Sequence, residues 1–428
     1  MVNMERCGPL CIVVAPLFAL LSYILLHTRG MLLDPDGWAA WQGAVSLATG
    51  GGYRYFSGNP IVAWPPLYSA YLSLWTIILG PTGWSLLVAN GVLIVLQAFG
   101  WIRLALIITV DSGLRLSSGT LLLLAVYLGL FVPLHQQELF AQDLVYCLLP
   151  AYLTVLWKLV SGTKLEHDTG AFSLLATLGA MLWLAHNTAI VFVVGASFML
   201  AARRPRSWHS LSLAAATLTI PALCWLTVRL ALGQTGSHHI GIGAGRYDAL
   251  TYISQLLEGV GQLFLPPRFG APFIAVLILL ATVIILVRWR EASGLRYGAV
   301  MTLYSTLGIL LLFSSTWVTS PLTSSRQILF VVLILVPLAY VTAVPFHPRI
   351  AKAVMVVTLV PQLYWTALYV SHQQTDGRRS VVNSPTDALV PPNAYISRQY
   401  LVGPPVETST GLLISPVAFE EPRNRQDE

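Results

Sequence analysis

Charge is what this sequence most lacks. Asp, Glu, Lys and Arg together make up 10% of its 428 residues, while hydrophobic residues make up 56%; a soluble globular chain carries about 25% charge. Too few polar groups exist to cover a surface in water, so lipid has to serve as solvent. Lysine is nearly missing, confined to Lys158, Lys164 and Lys352. The net charge of +6 rests on arginines scattered through loops, with no basic stripe to track a phosphate backbone, which argues against nucleic acid as a partner. The four cysteines, Cys7, Cys11, Cys147 and Cys224, lie in or beside apolar runs, so no disulfide framework is implied. There is no glycine-rich phosphate loop, no zinc spacing and no nucleophile elbow. The pair His238-His239 lacks a third ligand at helical or strand spacing, so no cofactor is expected and no ligand set for a divalent metal is found. Internal repeats and low-complexity tracts are also missing.

Long apolar runs fill the space that charge leaves. Residues 9–27, 84–108, 211–232, 272–287, 298–315, 327–344 and 352–370 are each long enough for a ~30 Å hydrocarbon core. Residues 119–133 and 142–157 are shorter spans. The run 171–201 has basic flanks on both sides and is too long for one span; it predicts two short helices meeting near His186 and Asn187. The fold class expected is an all-α polytopic membrane protein with about 11 transmembrane helices (roughly 9–13). With the N-terminus inside, the inner segments hold Arg6, Arg103, Arg115, Lys158, Lys164, Arg203, Arg204, Arg206, Arg288, Arg290, Arg296, Arg349 and Lys352. The outer segments before the tail hold only Arg29, Arg54, Arg229, Arg246, Arg268 and Arg326. That asymmetry fits the positive-inside rule. The first run has a short basic start and no small-residue cleavage site, as an uncleaved anchor would.

A transmembrane domain is thus expected over 1–370, followed by an outer tail, 371–428, of too little apolar content to fold alone. The tail shows few strand patterns, could pack against the outer loops, and should be disordered over its last ten residues. The first outer loop, about 28–83, carries Trp38, Trp41, Val45 and Ala48 at helical spacing, which predicts an amphipathic helix in the interface with its tryptophans at headgroup level. Gly50-Gly51-Gly52 ends it. Residues 67–79 are too short to span and read as a re-entrant or juxtamembrane helix opened by Pro65-Pro66. The second large outer loop, about 233–271, contains another helical stripe from Leu250 to Phe264.

Acidic residues are scarce, so each one near a membrane boundary counts. Asp34 and Asp36 follow the first span and are candidate general bases; Asp36 also suits a helix N-cap before Gly37-Trp38. Glu138 and Asp143 flank the outer start of a span, where Asp143 could equally cap a helix. Arg326, at the entry of a late span, either meets an anion or snorkels to the interface. His186 sits at the turn between the two short helices, where a histidine is commonly a hydrogen-bonded structural residue.

Taken in order, these residues resemble the bacterial membrane glycosyltransferases of GT-C fold, relatives of protein O-mannosyltransferases and aminoarabinose transferases (family-39-like). The likeness starts with Asp36-Gly37-Trp38, Gly50-Gly51-Gly52-Tyr53 and Trp64-Pro65-Pro66-Leu67-Tyr68. It continues with Ala141-Gln142-Asp143-Leu144, Ala185-His186-Asn187, Trp225 to Arg229 with Gly233, and Ser324-Ser325-Arg326, over about 8–370. His186 stands where relatives often carry Arg or Lys, so its charge depends on pH. The tail is unlike the large soluble domains of some relatives. The resemblance implies a polyprenyl-phosphate-linked sugar as donor, membrane lipids around it, and an acceptor of unspecified kind (protein, lipid or glycan). Asp36, or its rival Asp34, would be the base; Arg326 and His186 would meet the donor phosphate. Asp143, Glu138, Tyr53, Trp64 and Tyr68 would line the acceptor side. The implied setting is the bacterial inner membrane, with active site and C-terminus outside. The competing readings are a transporter or flippase of a lipid-linked substrate and a non-catalytic partner in an envelope assembly.

Overall fold

The computed structural model describes residues 2–27, 31–33, 35–56, 58–61, 64–111, 118–135, 141–161, 169–202, 208–233 and a few positions between 356 and 414. Within them the chain forms helices α1 (Val2–Leu26), α2 (Pro35–Ala48), α3 (Leu67–Leu79), α4 (Gly83–Asp111), α5 (Ser118–His135), α6 (Ala141–Ser161), α7 (Thr169–Ala185), α8 (Ile190–Ala202) and α9 (Trp208–Ala231). Four stretches are long and apolar enough to cross a membrane: Pro9–Leu26, Gly83–Ile107, Ala141–Val160 and Leu211–Ala231. The protein is therefore an integral membrane protein, and its described residues are helical apart from strand pairings two or three residues long. The spans expected at 272–287, 298–315 and 327–344 and most of that at 352–370 lie outside the described residues. The same holds for the second large outer loop beyond Gly233.

Helix α1 shows how a span is built when hydropathy does not separate its faces. Leu10, Val13, Leu17, Leu21 and Leu25 are exposed, whereas Cys11, Ala15, Ala19 and Leu26 are buried. Where it meets α5, at Ala15 and Ala19, the buried stripe is small rather than more apolar. It receives α5 at Gly129, where an added Cβ would lie 2.6 Å from Phe18 Cβ and 2.9 Å from the Ala15 carbonyl oxygen. Small residues let two backbones approach, which is how helices associate where lipid is as apolar as the side chains.

Helices α4 and α6 run parallel and level. The Gln97 amide donates to the main-chain oxygen of Asp143 at 3.0 Å, and Trp157 Nε1 donates to Asp111 Oδ2 at 2.7 Å. Fourteen residues separate Gln97 from Asp111 and fourteen separate Asp143 from Trp157, about 21 Å along either helix. Helix α6 has 21 residues, about 30 Å, enough to span a hydrocarbon core. Residues 142–157 thus belong to a full-length helix rather than a short one.

The 171–201 run folds as expected into two short helices. Helix α7 stops at Ala185, His186 is non-helical, and a 3₁₀ turn over Asn187–Ala189 leads into α8. Residues 67–79 form the short helix α3, of 13 residues.

Helix α2 ends as its glycines predict. Gly50 has φ 79°, its N–H bonds to Leu47 O at 3.2 Å, and the Gly51 N–H reaches back to Ser46 O at 2.7 Å. That pair of bonds is a Schellman motif with glycine at its left-handed position. Two expectations for α2 need correction. Trp38 and Trp41 are each 1% exposed and pack in the protein core rather than against lipid headgroups. Their face is spent on protein: Trp38 meets Phe56 edge-on at 6.0 Å, and both tryptophans share a core with Tyr68 and Leu72 of α3. The helix also starts at Pro35, which puts Asp36 inside the first turn and not at the N-cap. Proline suits that first position, where its missing N–H has no helical partner to lose.

The tail contributes strand structure that its sequence pattern did not foretell. Strand β1 (Met31–Leu33) pairs in parallel with β2 (Ala394–Ile396), Leu32 opposite Tyr395. Strands β3 (Val406–Glu407) and β4 (Leu413–Ile414) pair antiparallel.

Candidate functional site

Polar side chains gather at the end of the bundle where α6 begins. Gln142 and Asp143 stand in the first turn of α6, with Asp143 the third residue of the helix rather than its cap. Both are buried, Asp143 to 1% exposure, as is His186. A carboxyl group this deep needs hydrogen bonds or a counter-charge to offset its desolvation. Gln97 of α4, itself fully buried, supports the turn by its bond to the Asp143 main chain.

Gln142 Nε2 lies 3.2 Å from His186 Nε2. An amide NH₂ only donates, so in this arrangement the ring nitrogen accepts and the imidazole is neutral with its proton on Nδ1. Gln142 Oε1 has no hydrogen-bond partner among the described residues. Rotation of the amide would exchange donor for acceptor and suit a protonated ring. The non-helical break after α7 explains why His186 can turn toward α6 at all.

The first loop closes over this pair. The Trp64 ring lies 6.1 Å from the His186 ring at a tilt of 31°. Trp64 is held from below by Tyr53, whose hydroxyl donates to Trp64 O at 3.1 Å and Pro65 O at 3.3 Å. Burial pushes the Tyr53 phenol well up, against a smaller opposing effect of the Ser69 hydroxyl, so the group stays protonated and able to donate. The loop is anchored to α2 by the Phe56 N–H, which donates to Gln42 Oε1 at 2.9 Å. Two bonds, Tyr55 N to Asn59 O at 2.8 Å and Ile61 N to Tyr53 O at 3.2 Å, close its own turn. Tyr68 opens α3 beside it, 1% exposed and stacked on Tyr71.

Three segments far apart in the chain thus meet: Trp64 with Tyr53, Gln142 with Asp143, and His186. Glu138, Asp34 and Arg326 lie outside the described residues. Asp36 is placed as a residue of α2's first turn, and α2 packs on α3 and touches α6. Among the described residues no group of three His, Cys, Asp or Glu could hold a metal.

A second layer on α9 was not singled out from the sequence as part of a site. Trp225 Nε1 donates to Asn187 Oδ1 at 3.1 Å, the residue after His186. Trp225 stacks on Trp183 at 5.3 Å and carries the Arg229 guanidinium 4.7 Å from its ring centroid. The sequence signal was the four-residue spacing of Trp225 and Arg229, which puts both on one helical face. Nothing local pointed from α9 to Asn187. Compared with known proteins, the chain matches no family model and no curated protein.

Proposed function

We propose that this protein is a membrane glycosyltransferase of GT-C-like architecture. It moves a sugar from a polyprenyl-phosphate donor to an acceptor hydroxyl at the outer face of the bacterial inner membrane. The observation that supports this reading is the convergence of Trp64, Gln142–Asp143 and His186 at the mouth of α6. All three lie in segments that carry the resemblance to GT-C glycosyltransferases. A buried polar cluster among apolar helices suits a substrate whose tail stays in lipid while its phosphate and sugar meet polar side chains.

In the reaction, the Asp36 carboxylate takes the proton of the acceptor hydroxyl, with Asp34 as the alternative base. The acceptor oxygen forms a bond to the anomeric carbon from the face opposite the leaving group. The bond from that carbon to the phosphate oxygen breaks, and polyprenyl phosphate leaves with the electron pair. Configuration at the anomeric carbon inverts. Arg326 and His186 stabilise the departing anion. A neutral His186 does this only as a hydrogen-bond donor through Nδ1; a protonated one would add charge.

The test is transfer by the full chain in liposomes supplied with radiolabelled polyprenyl-phosphate sugars. Asp36→Asn should lower the rate about 10²–10⁴-fold. An unchanged rate removes Asp36 as the base, and Asp34→Asn then decides its rival. One feature favours a transporter of lipid-linked substrates instead: Asn90 and Gln97 are fully buried polar residues inside α4, and such residues often mark a pathway. Movement of a fluorescent polyprenyl-phosphate sugar between leaflets, with no product formed, would select that reading.

A further inference from the structure

Position 186 lacks the fixed cation that a bound phosphate calls for, and the structure offers a replacement from another helix. Arg229 is in the last turn of α9, where a cation complements the helix dipole. Snorkelling to water would account for an arginine at such a place. It would not account for what holds this one. The indole under its guanidinium is wedged against Trp183 and hydrogen-bonded to Asn187. Those contacts clamp α9 to the turn that also presents His186 to Gln142. Arg229 itself is half-buried, so its head stays at the indole. Stacking uses the flat face of a guanidinium, whereas its N–H groups point outward in the ring plane, in a fork that matches phosphate oxygens.

We propose that Arg229, oriented by the Trp225–Asn187 clamp, is a fixed cation at this end of the bundle and binds the phosphate ester of a lipid. The identity of that lipid as the donor or its polyprenyl-phosphate product rests on the reaction proposed above; the binding does not. Asn187 and Trp225 are positioning residues, and Arg229 is the ligand-contacting one. A lipid phosphate held there is linked to the Gln142–His186 pair through Trp225 and Asn187.

The experiment measures binding of sugar-free polyprenyl phosphate to the full-length protein in neutral-lipid nanodiscs, read by native mass spectrometry. Inorganic phosphate and phosphatidylglycerol serve as competitors. Arg229→Gln should weaken polyprenyl-phosphate binding about tenfold or more, and Arg229→Lys should recover part of the loss. Trp225→Phe keeps an aromatic face but loses the bond to Asn187; the folded variant should weaken binding by a smaller factor. Competition by phosphatidylglycerol equal to that of polyprenyl phosphate supports the site and assigns it to bulk headgroups. Competition by inorganic phosphate alone reduces it to a simple anion site and overturns the lipid part. Equal binding by wild type and a folded Arg229→Gln protein overturns the proposal. Because no sugar is transferred, this result stands apart from the Asp36 assay in either direction.

Discussion

Tyr53 shows how one side chain fixes the loop that covers the site. Its ring fills the space left by Gly43, and its hydroxyl bonds to two successive carbonyls at the Trp64-Pro65 bend. Tyr53→Phe keeps the ring and removes the donor, which should cost about 1 kcal/mol, seen as a lower melting temperature in detergent. The pH dependence has a definite sign. The folded state holds this phenol above its ordinary value of 10.0, so its contribution is complete below pH 10 and declines as alkali ionises the unfolded chain first. The alkaline loss of stability should therefore be smaller in Tyr53→Phe than in wild type. Gln142→Leu tests the neighbouring contact: it preserves bulk but removes the Gln142 amide from His186 Nε2. Transfer should fall about tenfold with little change in melting temperature, since one hydrogen bond to a reacting-site group is lost. Wild-type transfer in Gln142→Leu would detach the pair from the reaction. The sequence showed both residues but not their meeting, because a helix periodicity says nothing of which neighbour a face will find.

Among the elements, the α1–α5 crossing depends most on a single atom. At Gly129 a Cβ would press on the backbone of α1, not just on a flexible tip. Gly129→Ala should separate the helices and cost about 1–3 kcal/mol by overpacking. Gly119 lies on the same α5, with nothing within 4 Å of an added Cβ. Gly119→Ala should be neutral or slightly stabilising, since it replaces glycine with a better helix former. Equal melting temperatures for the two variants would refute the close crossing. Helix ends were more legible than helix faces. The Gly50 stop, the short α3 and the break at His186 follow from glycine, proline and run length, all local features. The inward turn of Trp38 and Trp41 was missed because an interfacial helix and a helix docked on the bundle share one pattern of spacing. Only the presence of α3 and the Tyr53 loop on that face distinguishes them.

At the scale of the whole molecule, the β1–β2 ladder ties the segment after the first span to the tail. Two segments in one ladder lie on one side of a membrane, so the chain between Leu33 and Ala394 crosses it an even number of times. Ten crossings between them, the count implied by eleven spans, satisfies that condition. In a background without the four native cysteines, Leu32→Cys with Tyr395→Cys should form an intramolecular disulfide under mild oxidant. Each cysteine alone should react with a membrane-impermeant maleimide from the same side. Labelling from opposite sides would break both the ladder and the eleven-span count.

The sequence by itself determined the solvent, the helical class and the ends of most described helices, because low charge, run length and glycine or proline act through nearby atoms. The tertiary structure decided which polar residues share a site. In a span such as α1, apolar on its lipid face and its protein face alike, hydropathy carries no information about the inward side; packing of small residues does. The same is true of Gln142, His186, Trp64 and Trp225. Each was visible as a residue, but what joins them is the height at which α6, the α7–α8 turn and α9 come level, and that is set only when the helices pack.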